Sequence, residues 1–195
     1  MKIAVIDYGS GNVQSVLFAL ERIGAKGNLT ADPELIQSAD RVIFPGVGEA
    51  SSAMEILKSR GLDQVIPSLK QPVLGICLGM QLLCESSEEG NTTCLGVFPH
   101  RVMRFPAAAE KVPHVGWNSI SSYSDTLYAG LNEHEFVYYV HSYFAETGLC
   151  TSAITDYILP FSASLKRNNF HAVQFHPEKS GRAGERMLQN FLSIS

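Results

Sequence analysis

The chain has 195 residues, of which 45% are hydrophobic and 17% charged, and its net charge is −4. This composition is typical of a globular protein and excludes a wholly disordered chain. The acidic balance does not favour non-specific binding to nucleic acid, so we expect no nucleic-acid partner. No apolar run is long enough to cross a bilayer, and the first residues lack the pattern of a secretory signal. We therefore expect a cytoplasmic protein that does not bind membranes.

The first half of the sequence alternates strand-like apolar runs with segments of helical spacing. The strand-like runs are KIAVIDYG, RVIFPG and PVLGIC, and the helical segments are NVQSVLFALERIG, EASSAMEILKSRG and LGMQLLCESSEE. Strands that alternate with helices are typical of a parallel sheet with helices packed on its faces. The sequence therefore predicts the α/β class with a mostly parallel central sheet.

The second half has a different pattern, with short strand-like segments separated by turns. These segments are RVMRF, HVGWNSISS, EFVYYVHSYF, TSAITDY, FSASLKRN and FHAVQFH, and GERMLQNFLSI follows as an amphipathic helix. The pattern predicts added antiparallel strands, on the central sheet or beside it. We see no repeat or linker, so we expect one domain over residues 1–195.

The four cysteines, Cys77, Cys84, Cys94 and Cys150, give little support for a metal site. No pair has the C-x-x-C spacing that is typical of zinc ligands. A domain of this size needs no disulfides, so free thiols are the simplest interpretation. We expect neither a metal nor a cofactor, with one cysteine set apart from the others.

That cysteine is Cys77, which lies between Gly75 and Gly79 where an apolar run meets a helical segment. The pattern glycine-x-nucleophile-x-glycine is typical of a nucleophile elbow, a turn so sharp that flanking side chains would clash. In such a turn the N–H of the following residue, Leu78, points to where an oxyanion would form. If the five residues from Gly75 to Gly79 are considered alone, an equally good interpretation is a buried structural cysteine beside glycines that packing requires.

A cysteine nucleophile needs a base, and VQFHPEKSG offers His176 at the end of a strand-like run. The residue before a proline is driven towards an extended conformation, in which residues two apart point to the same face. His176 and Glu178 are such a pair, so the carboxylate can orient the imidazole. The alternative is a strand-end histidine followed by a solvated glutamate.

The segment FPGVG follows the second strand-like run in a position where a parallel sheet places its sites. Its glycines let backbone N–H groups approach a ligand closely, so Val47 and Gly48 are candidates for a second oxyanion donor. An ordinary strand-to-helix turn is the alternative. Gly9-x-Gly11 after the first run resembles a dinucleotide fingerprint but lacks its third glycine, so we do not expect nucleotide binding.

The segments PGVG, GICLGMQLL and VQFHPEKSG together resemble the class I (triad-type) glutamine amidotransferases, over essentially the whole chain. The resemblance implies a flavodoxin-like fold and glutamine as substrate. It implies that Cys77 attacks the carboxamide and forms a γ-glutamyl thioester, while His176 moves the proton and Glu178 orients His176. It also assigns the oxyanion donors to Leu78 and the Val47–Gly48 peptide.

The same resemblance implies which residues hold glutamine. They are Gln81, Glu89, Ser142 and Tyr143. Gln81 lies one helical turn after Cys77, on the same side of the predicted helix. The assignment of Glu89 leaves an alternative open, because the adjacent Glu88 is also available.

A finer resemblance concerns the partner. DYGSGNVQSV, PGVGEA, PHVGWN and HPEKSG resemble the branch of the family that serves histidine biosynthesis. Members of that branch form a heterodimer with a separate (β/α)8-barrel cyclase and pass ammonia to it. The alternative is a chain that supplies ammonia for another acceptor such as chorismate, in anthranilate or aminodeoxychorismate synthase. Candidate interface residues are Asn12, Trp117, Asn118, Tyr138 and Lys179, although a lone tryptophan is usually core and a lone lysine usually solvated.

Overall fold

The computed structural model describes residues 1–9, 13–107 and 110–194. The strands in chain order are Ile3–Ile6 (β1), Gly27–Thr30 (β2), Arg41–Gly46 (β3), Val73–Cys77 (β4), Cys84–Ser87 (β5), Thr92–Thr93 (β6), Phe98–Arg104 (β7), His114–Ser119 (β8), Phe136–His141 (β9), Tyr143–Ala145 (β10), Thr151–Tyr157 (β11), Leu159–Arg167 (β12) and Phe170–Val173 (β13). The helices are Val13–Arg22 (α1), Pro33–Gln37 (α2), Ala50–Ser59 (α3), Leu62–Ser68 (α4), Leu78–Leu83 (α5) and Gly181–Ser193 (α6). Three single 3₁₀ turns, Glu89–Asn91, Thr126–Tyr128 and Pro177–Lys179, complete the described elements.

The central sheet has, within the described residues, seven strands in the order β11-β12-β13-β4-β3-β1-β2. Strands β2, β1, β3, β4 and β13 run parallel, whereas β12 and β11 run antiparallel to their neighbours. The prediction of a mostly parallel sheet with antiparallel additions is therefore confirmed. Gly46 pairs with Cys77 and Val173 with Ile76, so the carboxyl ends of β3, β4 and β13 meet at one edge.

Helices cover both faces of this sheet, as the alternating pattern predicts. One core cluster contains Ile36, Leu57 and Ile66, from α2, α3 and α4. The other contains Leu20 from α1 and Phe191 from α6. Burial on both faces explains why β1, β3 and β4 are nearly continuous apolar runs.

The remaining strands form two smaller sheets that border the carboxyl edge. Four strands pair in the order β10-β7-β5-β6, and β8 pairs with β9 as an antiparallel two-stranded ribbon. Ser142 separates β9 from β10, so the predicted single strand EFVYYVHSYF is divided between two sheets. No helix in the described ranges is long and apolar enough to span a membrane.

The helix predicted over LGMQLLCESSEE is too long. It ends at Leu83, because the backbone becomes extended at Cys84, where β5 begins and pairs with β7 in parallel. Cys84 is fully buried in that strand as part of the core, and its predicted place on a helix was wrong. Strand β2 and helix α4 were not predicted, because they are short and carry weak patterns.

Candidate active site

Cys77 occupies a sharp strand-to-helix turn, as predicted from its flanking glycines. It is the last residue of β4 and α5 begins at the next residue, with Cys77 at φ 54° and ψ −110°. A non-glycine residue in this region costs about 1–3 kcal/mol, so packing must hold it there. A Cβ at Gly79 would overlap the Phe44 carbonyl oxygen, and one at Gly75 would lie 2.7 Å from Leu83 Cδ1. The two glycines therefore let α5 pack directly against β3 and β4.

A cavity of about 410 Å³ opens beside Cys77 at the carboxyl edge of the sheet. Its size is within the usual range for small-molecule sites. The cavity is lined by Val47, Gly48, Cys77, Leu78, Gln81, Glu89, Pro113, Val140, His141, Ser142 and Tyr143. The structure thus gathers the residues predicted for the oxyanion site and for glutamine binding around the predicted nucleophile.

The two adjacent glutamates have separate positions. Glu89 lines the cavity and accepts a hydrogen bond from the amide of Ala50 at the start of α3 (2.8 Å). Glu88 accepts a hydrogen bond from the amide of Arg104 instead (2.8 Å). Burial raises the pKa of Glu89, and the nearby Glu49 adds to that effect, while the bond from Ala50 opposes it. The geometry therefore favours Glu89 as the carboxylate that faces a ligand.

His176 and Glu178 form a buried pair, with His176 Nδ1 2.7 Å from Glu178 Oε1. The geometry that joins them differs from the predicted one. Strand β13 ends at Val173, His176 remains extended at φ −100° and ψ 95°, and Glu178 lies in the 3₁₀ turn Pro177–Lys179. Because that turn brings the carboxylate back towards the ring, the pair forms without a continuous strand.

The charged form of His176 is favoured in this environment. Burial opposes it, but the Cys77 thiol and the Glu178 carboxylate outweigh burial and raise the pKa of His176 to about 10. The Nε2 atom is buried and makes no hydrogen bond with any part of the chain that the structure describes. Cys77 therefore acts on the imidazole by proximity without an aligned hydrogen bond, and such bonds often tighten only when substrate is present.

The backbone of His176 is fixed to the β8–β9 ribbon. Its amide donates to the Tyr138 carbonyl (2.9 Å), and Ser180 Oγ donates to the His176 carbonyl (2.7 Å) while accepting from the Tyr138 amide (3.0 Å). The position of the imidazole thus depends directly on strand β9.

Besides Pro113 in the cavity lining, three residues in contact with the predicted nucleophile or its cavity were not identified from sequence. Gln174 donates from Nε2 to Cys77 Sγ (3.7 Å), and the Val140 carbonyl oxygen lies 4.0 Å from the same sulfur. His141 lines the cavity. The alternation in VQFH placed Gln174 on the face of His176, which was a usable signal; the positions of Val140 and His141 depend on the register of β9, which no local pattern reveals.

The predicted interface residues that the structure describes lie on or beside the ribbon. Trp117 is 56% exposed and is not a core residue; its ring lies 6.1 Å from that of the paired Tyr138. Lys179 Nζ lies 5.9 Å from the centre of the Tyr138 ring. Asn118 donates to the Asp156 carbonyl (3.0 Å). The predicted Asn12 falls outside the described residues.

No cluster of three or more His, Cys, Asp or Glu side chains suited to a metal ion occurs in the described ranges. The groups that this site offers are the Cys77 thiol, the charged imidazole of His176 beside it and the backbone donors at the start of α5. Such a set supports nucleophilic attack on an acyl carbon.

Comparison with known proteins is consistent with this chemistry. The family model described as "Glutamine amidotransferase class-I" matches residues 4–194. The chain belongs to the class-I glutamine amidotransferase family. Two solved structures share the fold: a putative GMP synthase protein from Thermoplasma acidophilum (TM-score 0.76, 20% identity, 98% of this chain and 92% of that one) and a protein described as a glutamine amidotransferase (TM-score 0.75, 17% identity, 98% and 97%).

Closer relatives carry a more specific name. The chain is 56% identical to "Imidazole glycerol phosphate synthase subunit HisH" of Bacteroides fragilis strain YCH46, over all of both chains. It is 56% identical to the protein of that name from Bacteroides thetaiotaomicron, again over all of both chains. It is 47% identical to the one from Archaeoglobus fulgidus, over 98% of each chain.

Proposed function

We propose that this chain, acting as a single domain, hydrolyses glutamine to glutamate and ammonia and delivers the ammonia to a separate (β/α)8-barrel cyclase in a cytoplasmic heterodimer. The cyclase would make imidazole glycerol phosphate and an aminoimidazole carboxamide ribotide in histidine biosynthesis. The observation that carries the proposal is the convergence of elbow, His176 and substrate-sized cavity in a chain whose relatives of the same length are named for that enzyme. Those names favour this role over supply of ammonia to chorismate.

The reaction begins at Cys77. His176, whose charged form the site favours, holds the thiol proton, and Sγ attacks the carboxamide carbon of glutamine. The tetrahedral oxyanion lies against backbone N–H groups of Leu78 and of the Val47–Gly48 peptide, where fixed donors are most effective. His176, hydrogen-bonded to Glu178 Oε1 at 2.7 Å, then protonates the leaving ammonia. Water attacks the thioester with His176 as base, and glutamate is released.

The far wall of the cavity would hold the amino-acid end of glutamine. Glu89 supplies a carboxylate for the ammonium group, and Ser142 and Tyr143 supply groups from the β9–β10 junction. Gln81 donates from Nε2 to the Tyr143 carbonyl and to Gln174 Oε1, both at 2.9 Å. Its own Oε1 is then the atom that is available as an acceptor for the substrate.

The exposed face of the β8–β9 ribbon is the surface that we assign to the cyclase. Paired residues Val115 and Val140 are 56% and 38% exposed, and Trp117 is paired with Tyr138. Phe136, at the start of β9, is 59% exposed. Interfaces are enriched in aromatic residues at their centres, so an aromatic and aliphatic surface joined to the backbone of His176 supports a partner there.

The direct test is glutamate release by the purified chain, alone and with a candidate barrel cyclase and its nucleotide substrate. We expect turnover in the complex, and turnover lower by about 10²–10³-fold alone if one oxyanion donor is completed only on binding. Cys77→Ala should abolish turnover, while Cys150→Ala, a change at a cysteine outside the cavity lining, should retain it.

Two results would contradict the proposal. One is turnover by the Cys77→Ala complex at the rate of the unaltered complex. The other is a chain that captures a chorismate-binding protein, and not the barrel cyclase, and releases glutamate only with that protein.

A further inference from the structure

A continuous series of hydrogen bonds joins the partner-facing ribbon to the nucleophile. From Asn118 it passes through His114, His141 and the Tyr143 carbonyl to Gln81, Gln174 and finally Cys77. Asn118 lies on β8 of that ribbon, whereas Cys77 lines the cavity. The series is of interest because the direction of every bond in it can be deduced.

The direction is set by the backbone carbonyl of Tyr143, which can only accept. His141 Nδ1 lies 2.7 Å from that oxygen, so Nδ1 carries the proton. Burial lowers the pKa of His141 to about 3, and His141 is therefore neutral at physiological pH. Its Nε2 must then be an acceptor, which fixes the tautomer.

His114 follows from the same logic. Its Nδ1 lies 3.0 Å from the accepting Nε2 of His141, so His114 donates from Nδ1. Burial lowers the pKa of His114 to about 4, so its Nε2 is an acceptor and receives the Asn118 side-chain amide at 3.4 Å. The ring is stacked between Tyr139 and Tyr157, at centroid distances of 4.7 and 3.9 Å, which hold its orientation.

On the other side of the Tyr143 carbonyl, two amide side chains are oriented in turn. Gln81 must present Nε2 to that carbonyl (2.9 Å), and its second hydrogen goes to Gln174 Oε1 (2.9 Å). Gln174 is completely buried, and because its oxygen is committed to Gln81, its Nε2 must face Cys77 Sγ, 3.7 Å away. Amide oxygen and nitrogen are thus assigned by the network.

We propose that Gln174 is a further catalytic residue, whose N–H stabilises the Cys77 thiolate, and that Gln81 and His141 are positioning residues that aim it. The proposal rests on the assignment of Cys77 as the nucleophile made above. A donor aimed at sulfur favours the anionic nucleophile over the neutral thiol, and hydrogen bonds to charged groups are the stronger ones. A residue with an acceptor in this place would have the opposite effect.

The test measures the reactivity of Cys77 without glutamine or partner. Iodoacetamide reacts with thiolates, and peptide mass spectrometry gives the rate at Cys77 separately from the other three cysteines. Gln174→Glu keeps the shape but replaces the donor by a carboxylate oxygen, so we expect alkylation of Cys77 to be at least about 10-fold slower at neutral pH. Gln64→Glu adds the same charge on exposed α4 and should leave the rate unchanged.

A second pair of variants separates positioning from mere packing. The Asn side chain can place an N–H where His Nδ1 is, so His141→Asn should retain most of the rate, whereas His141→Leu should lose about threefold or more. Thermal unfolding of each variant checks that it is folded at the assay temperature.

Equal alkylation rates for folded Gln174→Glu and the unaltered protein would overturn the proposal. If Gln174→Glu does not fold, equal rates for His141→Asn and His141→Leu would overturn it instead. Because alkylation needs neither glutamine nor a cyclase, a failure of the proposed function appears separately, as absence of turnover in the unaltered complex.

Discussion

Two buried histidine–carboxylate pairs lie near opposite ends of strand β13, and both have the same separation. His171 Nδ1 is 2.7 Å from Asp125 Oδ2, and His176 Nδ1 is 2.7 Å from Glu178 Oε1. The first pair also borders a cavity, of about 710 Å³, whereas the cavity at Cys77 measures about 410 Å³. Neither the geometry of the pair nor the size of the cavity therefore distinguishes a site.

What distinguishes the two pairs is the group beside each of them. His176 follows the carboxyl end of β13, next to the elbow at the end of β4, and Cys77 contributes to the raised pKa of its imidazole. His171 lies within β13, paired with Leu74 in the interior of β4. Its partner Asp125 also accepts the Leu127 amide (3.1 Å), so this pair fastens the segment after Ser124 to the sheet. We therefore assign a chemical role to the pair of His176 and Glu178 and a structural role to the pair of His171 and Asp125.

The largest expected effect comes from removing the imidazole of the pair beside Cys77. His176→Ala in the complex should lower the rate of glutamate release by about 10⁴-fold, because both the base and the acid are lost. Glutamate release under saturating glutamine measures the loss. His171→Asn serves as the matched control, and a comparable loss of turnover in a folded His171→Asn protein would remove the distinction between the pairs.

Loss of the pair of His171 and Asp125 should lower the stability of the folded protein. Asp125→Ala leaves His171 buried without its partner, and breaking a buried pair costs about 3–5 kcal/mol of unfolding free energy. Burial opposes the charged form of Asp125, but the His171 hydrogen bond and charge prevail and lower its pKa, which is consistent with a stabilising pair. Urea denaturation measures the change. If the variant is as stable as the unaltered protein, the pair of His171 and Asp125 does not stabilise the fold.

The β8–β9 ribbon is bonded to the pair beside Cys77, because the His176 amide donates to the Tyr138 carbonyl. A change on the exposed face of the ribbon should have a smaller effect, on the affinity for the proposed partner. Trp117→Ala should weaken binding of the cyclase by about 2 kcal/mol, or roughly 30-fold, as for an aromatic residue at an interface centre. Calorimetric titration measures the affinity. Leu35→Ala, which removes a 48% exposed side chain from α2, is the control and should bind normally.

A third buried pair, His114 with His141, differs from the other two because it contains no carboxylate. Burial lowers the pKa of His114 to about 4 and of His141 to about 3, so both are neutral when folded and take up protons on unfolding below pH 6.5. Stability should therefore fall as the pH is lowered from about 6.5 to 5, by at most about 1.4 kcal/mol per pH unit for each histidine. The raised pKa of His176 does not contribute in this range, since its stabilisation is complete below pH 6.5 and is lost only as the pH rises towards 10.

Urea denaturation between pH 5 and 6.5 measures that slope. His114→Asn should reduce it by about half, whatever its effect on stability at pH 7. An unchanged slope in the variant would mean that the two rings are not the source of the pH dependence.

The sequence was sufficient for the parts of the site that depend on local geometry. The elbow at Cys77 follows from glycines at fixed offsets, and the sheet follows from strand and helix periodicity. The same reasoning placed Glu178 near His176 but assumed an extended strand where a 3₁₀ turn is present. Local patterns cannot foresee that turn, because it depends on packing of Pro177 against Gly184 in α6.

The remaining parts depend on long-range pairing. The carbonyl of Val140 and the ring of His141 reach the cavity because β9 ends beside Ser142 and the chain changes sheets there. The pairing of His114 with His141 likewise needs the register of β8 and β9, which are joined by a long connection. A hydrogen-bond network of this kind becomes visible only when both strands are placed.

The central claim is that Cys77 carries the acyl group, and its most direct test is a covalent one. The complex with the proposed cyclase, supplied with glutamine and quenched rapidly in acid, should yield a γ-glutamyl thioester on the peptide that contains Cys77 and on no other cysteine peptide. The adduct should accumulate further in a variant whose hydrolysis step is slowed. Glutamate release at full rate with no adduct on Cys77, or with the adduct on Cys84, Cys94 or Cys150, would contradict the account.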